Sequence, residues 1–211
     1  RRHRHQRRPG RTRGRLPPPT PEKVERLLRT EKTFTNSSDV AKVAALYAAF
    51  FDEVVRATEL HFRAVGWTVA EAAELCEALP RFRALTSLDV SENKLGDAGV
   101  SVICQAVQSN KEIKLASLNV SRNEIGPEGA KAVAAMAAVA ASLTVVNVLR
   151  NKLDVASAEM LTAVAKEKGV SLCGITRDQT EANFRSQLRS QPLQPYDAIL
   201  LASDLSQAGV T

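Results

Sequence analysis

One twelve-residue pattern recurs three times in this chain, and its recurrence constrains the fold more than any other feature. Leu85-Thr-Ser-Leu88-Asp-Val90-Ser-Glu-Asn93-Lys-Leu95-Gly96 returns as Leu115-Ala-Ser-Leu118-Asn-Val120-Ser-Arg-Asn123-Glu-Ile125-Gly126, and again as Leu143-Thr-Val-Val146-Asn-Val148-Leu-Arg-Asn151-Lys-Leu153-Asp154. The steps between the asparagines are 30 and 28 residues. A weaker copy lies 28 residues before the first, with Leu60, Phe62 and Trp67 at the places of Leu88, Val90 and Leu95. Val170-Ser-Leu172-Cys173 is a last strand candidate. Each unit reads as a short strand, a turn and a helix. Such a unit is too small to bury its apolar face alone, whereas stacked units share one core.

The alternation of Leu88 and Val90 with Ser87, Asp89 and Ser91 predicts strands near 86–90, 116–120 and 144–148, one face buried and one wet. Asn93, Asn123 and Asn151 carry amides with both donors and an acceptor, suited to backbone groups leaving each strand. Each such group left buried and unpaired would cost roughly 1–3 kcal/mol. The spacing L-x-x-L-x-L-x-x-N-x-L resembles the leucine-rich repeat. The period of 28 and the Ile/Leu-Gly-x-x-Gly after the Asn are similar to the ribonuclease-inhibitor class of that family. The resemblance implies an α/β solenoid, a horseshoe with parallel strands on the concave face and helices on the convex face, over residues 58–175. Val65 in place of the first Asn and Asp154 in place of the third Gly predict irregular turns there.

The flanks differ from the array. Residues 1–19 read as a disordered Arg/Pro-rich tail. Residues 20–57 read as a helical lead-in. Thr20 caps a helix that starts at Pro21 and runs to about Thr30, and Ser37 or Ser38 caps a second. In that second helix Val40, Val43, Ala44, Tyr47, Phe50, Phe51 and Val54 form a stripe expected to be core. Residues 176–211 read as an irregular repeat, with Phe184 and Leu188 in a degenerate strand. A helix follows over Pro195–Ser206 with Ile199, Leu200 and Leu205 inward, stopped by Gly209 and leading into further array. A start at Arg1 rather than Met reads as a fragment or a processed form.

Charge and composition exclude more than they assign. The chain carries +6 overall, but residues 1–15 alone hold eight arginines and no acid, which leaves residues 16–211 at −2. Nucleic acid is therefore expected to be at most a weak ligand of the tail. The uncharged run from Ala132 to Leu149 is explained by the repeat register rather than by a membrane span. Three scattered cysteines suit a reducing compartment, cytoplasmic or nuclear. No phosphate loop or Ser-His-Asp set is present, His3 and His5 are a poor metal site, and His61 on a strand does not meet Cys76, Cys104 or Cys173. No enzyme activity, cofactor, metal or small-molecule substrate is expected.

Aligning the copies builds rows across neighbouring strands. One holds His61, Asp89, Asn119 and Asn147, a second Glu59, Ser87, Ser117 and Val145, and a third Arg63, Ser91, Ser121 and Leu149, with Glu92, Arg122 and Arg150 beside them. The expected partner-binding set is His61, Arg63, Asp89, Ser91, Asn119, Ser121, Arg122, Asn147 and Arg150, and the expected structural set is Asn93, Asn123 and Asn151. The function expected is a monomeric, non-catalytic interaction module that binds a protein on its concave face. The alternative is a regulator of a small GTPase, because the resemblance extends to the Ran GTPase-activating proteins, although no functional residue of theirs carries over by motif.

Overall fold

The computed structural model describes residues 16–31, 37–175 and 193–208. Two helices lead in, α1 (Pro21–Thr30) and α2 (Ser37–Val54). Four strand-helix units follow: β1 (Glu59–His61) with α3 (Val69–Ala78), β2 (Ser87–Asp89) with α4 (Gly96–Ser109), β3 (Ser117–Asn119) with α5 (Pro127–Val139), and β4 (Val145–Asn147) with α6 (Val155–Lys168). A last helix, α7 (Pro195–Ala208), packs on α6. The strands form one parallel sheet in the order β1-β2-β3-β4. Leu60, Leu88, Leu118 and Val146 pair in register across it and point into the core. Trp67 sits in the first repeat where Leu95 sits in the second, buried and stacked on Phe62 at 4.3 Å between ring centroids. The result is an α/β solenoid with a parallel sheet on one side and the helices on the other.

The asparagine amides run through the stack as a ladder. Asn93 Oδ1 accepts the N–H groups of Val65, Gly66 and Trp67 at 3.2, 2.9 and 3.0 Å, and its Nδ2 donates to the carbonyls of Phe62 and Val90, both at 2.8 Å. Asn123 Nδ2 donates to Val90 and Val120 at 2.9 and 3.2 Å. Asn151 Oδ1 accepts from Asn123 and Ile125 at 2.8 and 3.1 Å. Every amide thus serves its own turn and the turn of the repeat before it. This bears on Val65. Among the described residues no strand-turn unit precedes the first repeat, so an amide there would have no earlier turn to serve, and the turn over residues 65–67 stays regular on the acceptor supplied by Asn93.

The helix starts are capped in three ways. Thr68 and Glu71 form a capping box on α3. Asp97 on α4 reaches to the next helix, and its Oδ1 accepts the N–H groups of Gly126 and Gly129 at 2.6 and 2.9 Å. Asp154 accepts the Ser157 N–H at 2.7 Å and caps α6 itself. The same hydrogen bonds from Ser157 hold the Asp154 carboxyl below its ordinary value. The substitution of Gly by Asp at 154 therefore moves the cap from the neighbouring repeat to the same repeat, and the turn keeps its form.

Several expectations for the flanks are corrected. Residues 1–15, 176–192 and 209–211 lie outside the described residues, and with them Phe184, Leu188 and Gly209, as do the side chains of Ser37 and Ser38. Leu16 to Pro19, placed in the tail by sequence, lie against the body, and Pro17 is buried. The α2 stripe is only partly core. Phe51 is buried edge-on to Phe82, but Phe50 is 58% exposed and Val43 38%. The physical reason is that α2 is covered on one side by α1, a helix that buries none of its own residues. The strands are also shorter than expected, three residues each.

Two substitutions test this architecture. Asn123→Leu removes the acceptor of the Leu95 N–H and one of the two amide donors at each of the Val90 and Val120 carbonyls, which keep Asn93 and Asn151, so it is expected to cost about 2 kcal/mol, read as a lower urea midpoint at an unchanged slope. An unshifted midpoint would contradict the ladder. Gly129 is small because the helix start is tight: an added Cβ would meet Ile125 Cγ2 at 2.5 Å and Asp97 Oδ1 at 2.6 Å. Gly129→Ala is expected to lower stability by roughly 1–3 kcal/mol, whereas an unchanged thermal midpoint would mean that the α4-α5 contact is loose.

Candidate functional site

The sheet surface opposite the helices is an extended face built from all four repeats. Strand pairing sets its middle row: His61 pairs with Asp89, Asp89 with Asn119, and Asn119 with Asn147. Adjacent members are separated by ordinary strand spacing, about 4.8 Å. Glu59, Ser87, Ser117 and Val145 form the parallel row beside it. Solvent access falls along the row. His61 is exposed, Asp89 and Asn119 are half-buried, and Asn147 is buried.

The row is not free polar decoration. Asp89 Oδ1 accepts the Ser91 N–H at 2.9 Å, Asn119 Oδ1 accepts that of Ser121 at 3.1 Å, and Asn147 Oδ1 accepts that of Leu149 at 3.1 Å. These are turns closed by an Asp or Asn side chain two residues back, and they curl the chain immediately after each strand. Alternation therefore ends at residue 89, 119 and 147. That is why Ser91, counted as strand-facing from the sequence, is buried at 2% exposure. Ser121 is half-buried and Arg63 is exposed.

A charged rim follows the turns. Glu92 Oε1 lies 2.9 Å from Arg63 Nη2 and 3.3 Å from Arg122 Nη1, joining three repeats. Ala64, Glu92, Arg122 and Arg150 hold one position in successive repeats, and all four have positive φ, between 56° and 60°. The left-handed conformation is costly for such residues, and it is imposed by the turn that delivers the chain to the asparagine. At its far end the rim closes. Arg150 is buried, its N–H bonds Asp197 Oδ1 at 2.8 Å, and its Nη atoms have no hydrogen-bond partner among the described residues. Desolvation, with Arg122 adding repulsion and Asp197 opposing it, pushes its guanidinium below the ordinary value. The expectation that Ser91, Asn147 and Arg150 offer side chains to a partner is therefore corrected. His61, Arg63, Asp89, Asn119, Ser121 and Arg122 remain at the surface.

The sequence reading missed what lies beyond the fourth repeat. Asp204 Oδ1 accepts the Leu172 N–H and Oδ2 that of Cys173, both at 2.8 Å, while the Ser171 hydroxyl donates to it at 2.6 Å. Asp197 takes the N–H groups of Arg150 and Gln194, and the Tyr196 hydroxyl donates to the Asn151 carbonyl. Two carboxylates of α7 thus accept the backbone donors that a following repeat would otherwise receive. The signal was present: Asp197, Leu200 and Asp204 recur at helical spacing, so both acids share the buried face with Leu200.

No group of three metal-ligating side chains occurs among the described residues, and no described helix is long and apolar enough to cross a membrane. The thiols are placed for packing. Burial pushes Cys76 and Cys104 up to about 12, and pushes Cys173 up as well with Asp204 adding to the shift. The reactive thiolate is then roughly a thousandfold scarcer at pH 8.5 than in a free cysteine. Iodoacetamide at that pH is expected to leave all three unmodified in the native protein and to label them in urea, as read by mass spectrometry. Fast native labelling of any one would show a more open helix layer.

Comparison with known proteins agrees with this geometry. The family model described as "Leucine Rich repeat" matches residues 83–104 and 113–134. Ribonuclease inhibitor of Mus musculus is 28% identical over 121 residues, covering 57% of this chain and 26% of that protein. The chain thus aligns with about a quarter of that relative. Among solved structures, one titled "Leiomodin-1 Actin-Binding Site 2 (ABS2)" has a TM-score of 0.52 at 17% identity, covering 75% of this chain and 89% of the other. The tropomodulin C-terminal domain of Caenorhabditis elegans has a TM-score of 0.52 at 12% identity, covering 77% and 95%. At these identities the two structures speak to the fold.

Proposed function

We propose that this chain, similar to leucine-rich repeat proteins of ribonuclease-inhibitor type, is a non-catalytic scaffold docking a protein partner on its concave sheet face. The observation that carries the reading is the in-register row His61, Asp89 and Asn119 flanked by the rim Arg63, Glu92 and Arg122. It is open, several strands wide and alternates in charge. A small ligand needs a concave, mostly apolar pocket that encloses it, whereas a protein edge suits a flat polar surface with a fixed charge order. Repeat solenoids use such extended faces for partners. The Ran-type GTPase-regulator alternative gains no residue from the geometry.

Since Asp89 and Asn119 also hold their turns, the variants that test the face are best made at side chains without backbone duties. His61→Asp with Arg63→Glu places negative charge at two exposed positions. Gln105→Arg, exposed on α4, serves as the helix-side control. Affinity capture from a native lysate is expected to lose its partner with the sheet-face variant and keep it with the control. Capture that survives the first and fails with the second would move the binding surface to the helices. Adding the captured partner to a nucleotide-hydrolysis assay tests the GTPase alternative in the same experiment.

A further inference from the structure

Away from the sheet face, apolar surface gathers around the lead-in helices. Tyr47, Phe50 and Val54 of α2, with Leu60 and Phe62 of the first repeat, line one wall of a cavity of about 300 Å³. The chain's own segment Leu16-Pro17-Pro18-Pro19 lines the same cavity. Three successive prolines fix φ near −65° and force each predecessor into extended backbone. The peptide bonds among the described residues are trans, and proline sterics then favour a polyproline II helix for the segment, whose carbonyls have no partner within the helix. One carbonyl is taken up here: the Tyr47 hydroxyl donates to Pro19 O at 2.7 Å. Pro17 is buried in the contact. Aromatic rings that clasp the proline rings are how grooves recognise this helix, and the phenolic donor adds a bond to its backbone.

We propose that this groove is a receptor for proline-rich segments, that Leu16–Pro19 is a ligand bound in cis, and that a proline-rich segment of a partner protein competes for the same place. Two observations favour exchange over a permanent fold contact. The cis segment leaves a cavity of about 300 Å³ beside it and Phe50 on that cavity 58% exposed, so apolar surface remains for a further ligand. The segment is also lightly held. The helix after it, α1, buries no residue and is tied down by Lys23 to Glu74 and Glu77 at 3.0 and 3.1 Å and by Glu22 to Arg81 at 2.9 Å. The Glu22–Arg81 pair and Glu77 are exposed and contribute little, which leaves Lys23–Glu74 as the one half-buried pair, so residues 16–30 form a unit that lifts without opening the array. A short tether keeps the cis ligand at an effective concentration on the order of millimolar, which screens the groove from weak competitors until the tether loosens. This site is independent of the sheet face.

The test uses the full chain and a labelled peptide carrying the sequence of residues 14–22, read by fluorescence polarisation. Lys23→Ala with Arg81→Ala loosens α1 without touching the groove. Pro17→Ser, Pro18→Ser and Pro19→Ser together remove the cis ligand. Both variants are expected to bind the peptide roughly tenfold more tightly than the unaltered chain. Adding Phe50→Ser is expected to erase the gain, and a peptide with serine for each proline is expected not to bind. A loosened variant that melts like the unaltered chain yet binds no tighter overturns the proposal, as does equal binding of the serine peptide or of the Phe50→Ser form. Should the triple variant not fold, the Lys23/Arg81 variant decides alone.

Discussion

The stack stands on a hydrogen bond that is neither helical nor part of the sheet ladder. Each strand is three residues long and ends in a turn that enters the left-handed region, so the chain leaves the sheet with donors and acceptors that neither strand nor helix can satisfy. In a dry interior those groups would outweigh the packing gained from a few Leu and Val side chains. The amides of Asn93, Asn123 and Asn151, all nearly inaccessible to solvent, take up donors and acceptors in these turns. With the turns satisfied, Leu88, Leu118 and Val146 can be brought into register and the helices laid behind them.

Both flanks of the array depend on contacts of a different kind. On the first side, the aromatic core of Phe51, Phe82, Phe62 and Trp67 seals the repeat, while α1 and the proline segment lie on top of it through a hydroxyl and a few ion pairs. On the other side, α7 presents Asp197 and Asp204 where an apolar helix face would ordinarily stand. Burying a carboxylate is tolerable because each accepts several N–H groups, which replace its water. The first flank is therefore held by one buried proline, a hydroxyl and a few ion pairs, and the second by buried, multiply bonded carboxylates.

What the sequence made legible follows from the same physics. The repeat register, the row from His61 to Asn147 and the helix at Pro195 were readable because stacking forces equivalent residues to recur at one spacing. Ser91 was misread because alternation holds only while the backbone remains extended, and the Asp89 side chain ends the strand one residue earlier than the hydrophobic pattern implies. Phe50 was misread because periodicity locates a helix face but not the size of the element that covers it. Asp197 and Asp204 were missed because an acid on a helix is taken for a surface residue unless the backbone it serves is known.

The helix caps give the array an order that the amide ladder does not. As far as the ladder is concerned, one repeat could stand in for another, since every amide asks the same of its neighbour. Asp97 breaks that equivalence, because it belongs to the second repeat and works for the third. The third repeat has glycines at 126 and 129 that suit the visiting carboxylate, and the fourth has Asp154 and Ser157 at the corresponding places and looks after itself. The second and third repeats are thus coupled as a pair. A duplication, deletion or shuffling event that separated them would leave a carboxylate without its donors and a helix start without its cap, whereas the junction between the third and fourth repeats carries no such mutual debt and is the more permissive seam.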